Sequence, residues 1–228
     1  MAHKSFSRIL PFALFMSFIA MEQVAAELRS SGWLDLEASA LCWLYPFKAL
    51  TVTLALFLLR KYYCEWRFHD FRAISHTTLS IGAGLLIFTL WIHMDWPLLS
   101  PSPRPGYDPT LMEDSTLRIL LIGSRLFGAV LVVPVMEELF WRSFLLRYLI
   151  DKDFSRVAVG LFTWPSFLIT AILFGLEHHY ILAGIMAGIV FNLLLYHTRS
   201  IAQCTLAHAV ANFALGIYVL QSGQWRFW

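Results

Sequence analysis

Charge is scarce in this sequence. Only 14% of its 228 residues are Asp, Glu, Lys or Arg, whereas 58% are hydrophobic and the mean hydropathy is +0.64. Soluble domains carry about 25% charged residues, so this composition excludes an ordinary water-soluble enzyme. The net charge of +2 is distributed between the apolar runs rather than collected in one patch, so nothing indicates nucleic acid as a partner.

Cysteine and the motifs of several protease classes are scarce or missing too. The three cysteines, Cys42, Cys64 and Cys204, share no CxxC spacing, so neither a zinc cluster nor a disulfide framework is indicated. The sequence lacks the HExxH motif of zincins and the GxSxG elbow of serine hydrolases. Its apolar runs contain no Asp, which excludes an aspartyl dyad inside the membrane.

Long apolar runs are abundant instead. Runs of about 18–25 residues match the length that crosses a hydrocarbon core, and they predict an all-α polytopic membrane bundle of about seven (six to eight) transmembrane helices. The first run is interpreted as a helix rather than a cleaved signal peptide, and five prolines between Pro97 and Pro109 predict an extended loop. The predicted runs are Ile9–Ala26, Leu41–Leu59, Leu79–Met94, Leu117–Ile150, Val157–Leu176, Ile181–His197 and Ile201–Leu220.

Basic residues predict the orientation, because Lys and Arg accumulate in short cytoplasmic loops. With the N-terminus inside, four basic residues fall on the outer side and three lie within apolar stretches. We therefore predict a multi-pass protein of the cell inner (plasma) membrane with a cytoplasmic N-terminus. The ten residues that fall on the cytoplasmic side are Lys4, Arg8, Arg60, Lys61, Arg67, Arg72, Arg147, Lys152, Arg156 and Arg199.

Three clusters of polar residues interrupt the apolar runs. A charged side chain at the centre of a membrane costs roughly 2.5–3.5 kcal/mol on insertion scales, so such residues are functional candidates. The clusters are Glu137-Glu138 with Arg142, Phe174 with His178 and His179, and His208 with Asn212.

Helical spacing predicts which residues of these clusters share one face of a helix. Residues four apart share a helix face, whereas neighbours diverge by about 100°. Glu138 and Arg142 can therefore neutralise each other, which leaves Glu137 pointing elsewhere without a partner. His208 and Asn212 also share a face and present two hydrogen-bond donors with no obvious local partner.

The three clusters also converge in depth. At a rise of 1.5 Å per residue, Glu137 lies about 15 Å from Arg147, and His208 lies about 13 Å from Arg199 on the same side of the membrane. His178 reaches a similar depth, about 20 Å, if the fifth helix starts near Pro165. The convergence therefore requires that the segment before Pro165 is interfacial or that the helix is tilted.

Such a group of residues can hydrolyse a peptide bond. Glu137 is a suitable general base for water, and His178 could bind the same water or protonate the leaving amine. His208 and Asn212 would stabilise the oxyanion. The pair of Glu138 with Arg142 either supports this site or is only a structural salt bridge, and the remaining cluster members, Phe174 and His179, are predicted to line the cavity or pack around it.

Two alternatives remain open. A transporter, proton relay or immunity scaffold without enzymatic activity could use the same charges, but it predicts charges along a path across the membrane and, for many transporters, an inverted repeat. A zinc ion could bind a Glu and two His side chains. We expect no cofactor, because the Asn at the fourth position suits zinc poorly.

The three motifs occur in a known order. Glu137-Glu138-xxx-Arg142, Phe174-xxx-His178 and His208-xxx-Asn212 resemble the motifs of the CPBP family, which contains the CAAX prenyl proteases and the Abi proteins. The resemblance covers Leu117 to Leu220, so we divide the chain into N-terminal helices without a recognised motif, residues 1–110, and a protease-like core, residues 111–228.

The resemblance implies a glutamic intramembrane endopeptidase. The residues that match Glu137 and His178 would activate water, those that match His208 and Asn212 would stabilise the oxyanion, and the cavity would open toward the cytoplasmic leaflet. The substrate would be a membrane-anchored or lipidated peptide or protein. The size of the chain and its short loops favour the bacterial branch, whose members are linked to processing of leaders or C-terminal sorting tails.

Overall fold

The computed structural model describes residues 2–35, 37–94 and 106–228. Most of the predicted loop of prolines lies outside these ranges. Within them, the secondary structure is helical, without strands. The α-helices are α1 (Ala2–Ser30), α2 (Ala38–Leu41), α3 (Leu44–Leu59), α4 (Ile74–His93), α5 (Ser115–Tyr148), α6 (Trp164–Glu177), α7 (Ile181–Thr198) and α8 (Ile201–Ser222).

The prediction of an all-α membrane bundle is confirmed. Six helices of the described residues are long and apolar enough to cross a membrane, and α6, with 14 residues, is a shorter apolar seventh. Large hydrophobic side chains such as Leu50, Phe57 and Ile119 are more than half exposed on the outside of the bundle. Outward-facing apolar side chains suit lipid as the surrounding solvent, so the chain is a multi-pass membrane protein.

The predicted start of the fifth run was wrong. That run was expected from Val157, but its helix, α6, begins only at Trp164. The Thr163 side chain accepts a hydrogen bond from the Ser166 backbone N–H at 3.3 Å, and Pro165 occupies the first turn, where its missing N–H costs nothing. This late start meets the condition under which His178 reaches the depth of Glu137.

Helix α5 carries the first motif and is not a regular α-helix. Two of its segments, Gly128–Val132 and Leu139–Leu145, are wound as π-helix. Pro134 explains the first one, because proline lacks a backbone N–H and its ring clashes with the carbonyl four residues earlier, and an added residue in the turn relieves both. Glu137 and Glu138 lie in the short α-helical segment between the two.

Helices α6 and α7 form a hairpin with glycines at its interface. A Cβ atom on Gly184 would lie 2.8 Å from the Cα atom of Gly175, and one on Gly188 would lie 3.1 Å from the Cα atom of Ala171. Small residues allow such close approach of helices in membranes. Gly184 and Gly188 are therefore packing residues, and the hairpin fixes the turn that contains His178.

A buried ionic network closes the bundle where α1 begins and α5 ends. Glu65, in the connection between α3 and α4, accepts hydrogen bonds from the Arg8 Nη2 atom at 2.5 and 2.7 Å and from the Arg147 Nη2 atom at 3.4 Å. Ser143 also donates to Glu65. This network ties the N-terminal helix and a loop to the helix that carries the first motif.

Candidate active site

A cavity of about 200 Å³ lies between α4, α5, α6, α7 and α8. Its wall is mostly aromatic and aliphatic, with polar side chains from the three motifs. The structure brings four predicted site residues, Glu137, His178, His208 and Asn212, to this one cavity. Residues up to 75 positions apart in the sequence thus share one cavity.

Glu137 is the uncompensated charge of the site. Its side chain is buried, and its Oε2 atom has no hydrogen-bond partner among the described residues. The closest basic atom is the Nε2 atom of His208, 4.0 Å away. A carboxylate oxygen left free at the wall of a cavity can accept a proton from a water molecule inside it.

The neighbouring carboxylate, Glu138, is held through one oxygen, while its buried Oε2 atom has no hydrogen-bond partner among the described residues. The Oε1 atom of Glu138 accepts hydrogen bonds from the Arg142 Nη1 atom at 3.1 Å and from the His208 Nδ1 atom at 3.0 Å. The Arg142 guanidinium also lies 4.4 Å from the Phe174 ring centroid and 4.9 Å from that of Phe191. These contacts hold the His208 ring with its Nε2 atom toward Glu137.

The second motif ends α6. His178 is the C-cap residue of this helix, and its Nδ1 atom lies 2.7 Å from the Phe174 carbonyl oxygen. A carbonyl oxygen only accepts hydrogen bonds, so Nδ1 carries the proton, and in the neutral ring Nε2 carries the free lone pair. The spacing of Phe174 and His178 therefore determines the tautomer of the histidine.

The third motif finds its partners on another helix. The spacing offered His208 and Asn212 no local partner, and both are bound by α5 instead: His208 contacts Glu138, and the Asn212 Nδ2 atom donates to the Ala129 carbonyl oxygen at 2.8 Å. The Ala129 carbonyl is available because it lies in a π-helical turn of α5. A side-chain amide has two N–H groups, so Asn212 keeps one donor for the cavity.

The two remaining predicted residues, Phe174 and His179, lie in different surroundings. Phe174 lines the cavity, and its ring lies 4.7 Å from that of His178 and 5.8 Å from that of Trp141. His179 is not among the residues that line the cavity; its ring lies 5.1 Å from that of Tyr180 instead. His179 occupies the three-residue turn between α6 and α7, and consecutive residues of a turn point in different directions.

Sequence reasoning missed two contributions to this region. The Glu177 Oε2 atom accepts a hydrogen bond from the Trp141 Nε1 atom at 3.0 Å, which ties the end of α6 to α5. The Trp91 ring, from α4, lies 5.3 Å from the His178 ring and lines the cavity. The position of Glu177 beside His178 was the available signal for the first contact, whereas Trp91 lies in a helix without any motif.

The cavity runs along the bundle. Its lining residues step back along α5 from Glu137 through Val133 to Arg125, and along α8 they continue from His208 to Leu215. Both directions lead away from the end with Arg147 and Arg199. Under the predicted orientation this is the non-cytoplasmic side, which differs from the expected opening toward the cytoplasmic leaflet.

The side chains of the site do not fit a metal ion. Among the residues that the structure describes, no three His, Cys, Asp or Glu side chains are arranged to hold one. The Nδ1 atoms of His178 and His208 are both engaged, by a carbonyl and by Glu138 respectively. No step of the reaction is therefore assigned to zinc.

The comparison with protein families agrees with the motifs. Residues 119–214 match the family model of the type II CAAX prenyl endopeptidase Rce1-like proteins, a segment that contains all three motifs. The resemblance to the CPBP family is thereby confirmed, and this segment is similar to a family of membrane endopeptidases. No curated protein and no solved structure matches the chain.

Proposed function

We propose that the protein is a glutamic intramembrane endopeptidase that hydrolyses a peptide bond of a membrane-anchored or lipidated substrate. The observation that carries this proposal is that Glu137 lines one cavity with His178, His208 and Asn212 and keeps a buried Oε2 atom without a hydrogen-bond partner among the described residues. The family match supports CAAX-type protease activity in general.

Water activation is assigned to Glu137 and His178. The carboxylate accepts one proton of a water molecule in the cavity, and the free Nε2 lone pair of His178 accepts a hydrogen bond from the other. The resulting nucleophile attacks the substrate carbonyl, and the proton taken up by Glu137 passes to the leaving amine. General acid–base catalysis of this type contributes about 10²–10⁴-fold in rate.

Oxyanion stabilisation is assigned to His208 and Asn212. Because Nδ1 of His208 donates to Glu138, only a doubly protonated ring has an Nε2–H donor for the oxyanion. Protonated His208 also balances the charges of the cluster, since two carboxylates, Glu137 and Glu138, then face two cations, Arg142 and His208. The second amide N–H of Asn212 completes the oxyanion site.

Cleavage of a peptide tests this function. The purified protein in detergent is incubated with a farnesylated peptide that ends in a CAAX sequence and with a synthetic sorting-tail peptide, and the products are identified by mass spectrometry. We expect one new carboxyl terminus from at least one peptide, and its loss in His178→Ala and His208→Ala. If the wild type cleaves neither peptide nor any membrane-anchored leader, the proposal is contradicted.

Chelation tests the zinc alternative separately. Because the described residues offer no three-residue ligand set, we expect the cleavage rate to be unchanged after dialysis against a strong chelator. A loss of activity that Zn²⁺ restores would contradict this expectation and would require ligands that the geometry does not show.

A further inference from the structure

Arg125 is the charged residue at the far end of the cavity. It lies on α5, twelve residues before Glu137. One wall of the cavity is formed by residues of α5 spaced four apart, which are Arg125, Ala129, Val133 and Glu137. The reaction proposed above does not use it. A guanidinium inside an apolar run is costly unless it has a partner.

Its contacts leave one buried hydrogen-bond donor of the guanidinium, the Nε atom, unused. The guanidinium carbon lies 4.3 Å from the Tyr45 ring centroid and 5.5 Å from that of Tyr107, and these contacts engage the aromatic faces. The buried Nε atom has no hydrogen-bond partner in the described part of the chain. Within the same residues, no carboxylate oxygen lies within 4.0 Å of the guanidinium.

Lys48, a neighbouring cation, differs from Arg125 because it has an anionic partner within the protein. The Lys48 ammonium lies 4.9 Å from the centroid of the same Tyr45 ring, but it forms an ion pair of 2.9 Å with Glu22 and does not line the cavity. The charge of Lys48 is thus neutralised within the protein. The charge of Arg125 remains available to a molecule in the cavity.

We propose that Arg125 binds a carboxylate of the substrate and thereby positions the scissile bond at Glu137. A planar guanidinium presents paired N–H donors that match a carboxylate. Twelve residues of helix separate the two positions, about 18 Å along the axis, and an extended peptide advances about 3.3–3.6 Å per residue. The carboxylate would therefore lie about five residues from the bond that is cleaved.

This inference rests on the proposed function, since the carboxylate is part of the peptide to be cleaved. The carboxylate can be the free carboxyl terminus of the substrate or an Asp or Glu side chain. Three versions of one farnesylated peptide distinguish these sources: a free acid, an amide, and an amide with Glu as its last residue.

Binding is measured without cleavage, so that the two proposals can fail independently. Fluorescently labelled peptides are titrated by anisotropy against the full-length Glu137→Gln protein in detergent. We expect the free acid, or the amide with Glu, to bind about tenfold more tightly than the plain amide, as for a hydrogen-bonded charge pair. If the preferred peptide binds but the wild type does not cleave it, only the proposed function is contradicted.

The Arg125 variants provide the decisive comparison. Arg125→Gln on the Glu137→Gln background should bind all three peptides equally, and Arg125→Lys should keep part of the preference because it retains the charge. Arg118→Gln is the matched control: it removes the same charge two turns earlier on α5, where Arg118 donates to the Met112 carbonyl and does not line the cavity.

Three results would overturn the inference. They are equal binding of acid and amide by the Arg125 protein, a preference that survives Arg125→Gln, or no binding of any peptide. Thermal unfolding of each variant checks its integrity. If Arg125→Gln does not fold, a full preference in Arg125→Lys would overturn the assignment to the guanidinium fork.

Discussion

At the scale of single residues, the two adjacent carboxylates have different environments. Both are buried and keep an Oε2 atom without a hydrogen-bond partner among the described residues, but Glu138 is held through Oε1 by Arg142 and His208, whereas only Glu137 lines the cavity. The sequence spacing predicted this division, because four residues separate Glu138 from Arg142. It did not predict that Glu138 also holds the His208 ring, since seventy residues separate the two.

We expect Arg142→Gln to destabilise the protein strongly. It leaves the fully buried Glu138 carboxylate without its cationic partner, and breaking a buried pair from one side costs about 3–5 kcal/mol. The double variant Glu138→Gln with Arg142→Gln should lose less stability than Arg142→Gln alone, because neither charge of the pair remains. Thermal unfolding of both single variants and the double variant in detergent measures this coupling; additive losses would contradict it.

At the scale of elements, the hairpin of α6 and α7 depends on small residues. Gly184→Leu should separate the two helices and displace His178. We expect a lower unfolding temperature and a cleavage rate reduced by at least about tenfold, since a 1 Å displacement can cost about 10²-fold in rate. Gly123→Leu on α5 is the control, because a Cβ there meets nothing within 4 Å. Equal effects of the two substitutions on cleavage would contradict the packing role.

Helix boundaries show where sequence reasoning succeeds and where it stops. The apolar run placed the start of the fifth helix too early, at Val157, whereas the alternative start near Pro165 agrees with α6, because proline has a defined preference for the first turn. The π-helical turns of α5 were not predicted, because hydropathy and four-residue spacing assume a regular helix. The turn that follows from Pro134 frees the Ala129 carbonyl for Asn212, so this contact could not be read from the pattern either.

At the scale of the whole molecule, the orientation stays a prediction that a native cysteine can test. Cys64 is exposed near the basic end, whereas Cys42 and Cys204 are buried. With a cytoplasmic N-terminus, a membrane-impermeant maleimide should label Cys64 in inside-out vesicles and not in intact cells. Labelling of intact cells, absent in Cys64→Ser, would reverse the orientation and with it the side to which the cavity extends.

The network at the basic end makes stability depend on pH. Burial raises the pKa of Glu65, but Arg8 and the hydrogen bonds from Arg8 and Ser143 outweigh it and leave the pKa below its usual range. A lowered folded-state pKa stabilises the protein above the unfolded pKa of about 4.3, and this contribution is lost as the pH falls through the folded value.

We therefore expect the unfolding temperature to fall below about pH 4 in the wild type. Glu65→Gln should unfold at a lower temperature than the wild type at pH 7. Its unfolding temperature should fall less on acidification, because the glutamine side chain takes up no proton. Melting curves at several pH values for the two proteins provide the measurement. An identical acid dependence would show that Glu65 does not contribute to it.

The central claim is that Glu137 is the base of an intramembrane peptidase, and a comparison of two carboxylates tests it most directly. Glu177 lies beside His178 but accepts a hydrogen bond from Trp141 and does not line the cavity. With a peptide that the wild type cleaves, we expect Glu137→Gln to lower kcat/KM by at least about 10²-fold without lowering the unfolding temperature, and Glu177→Gln to keep most of the activity. Activity retained by Glu137→Gln, or lost equally in both, would contradict the account.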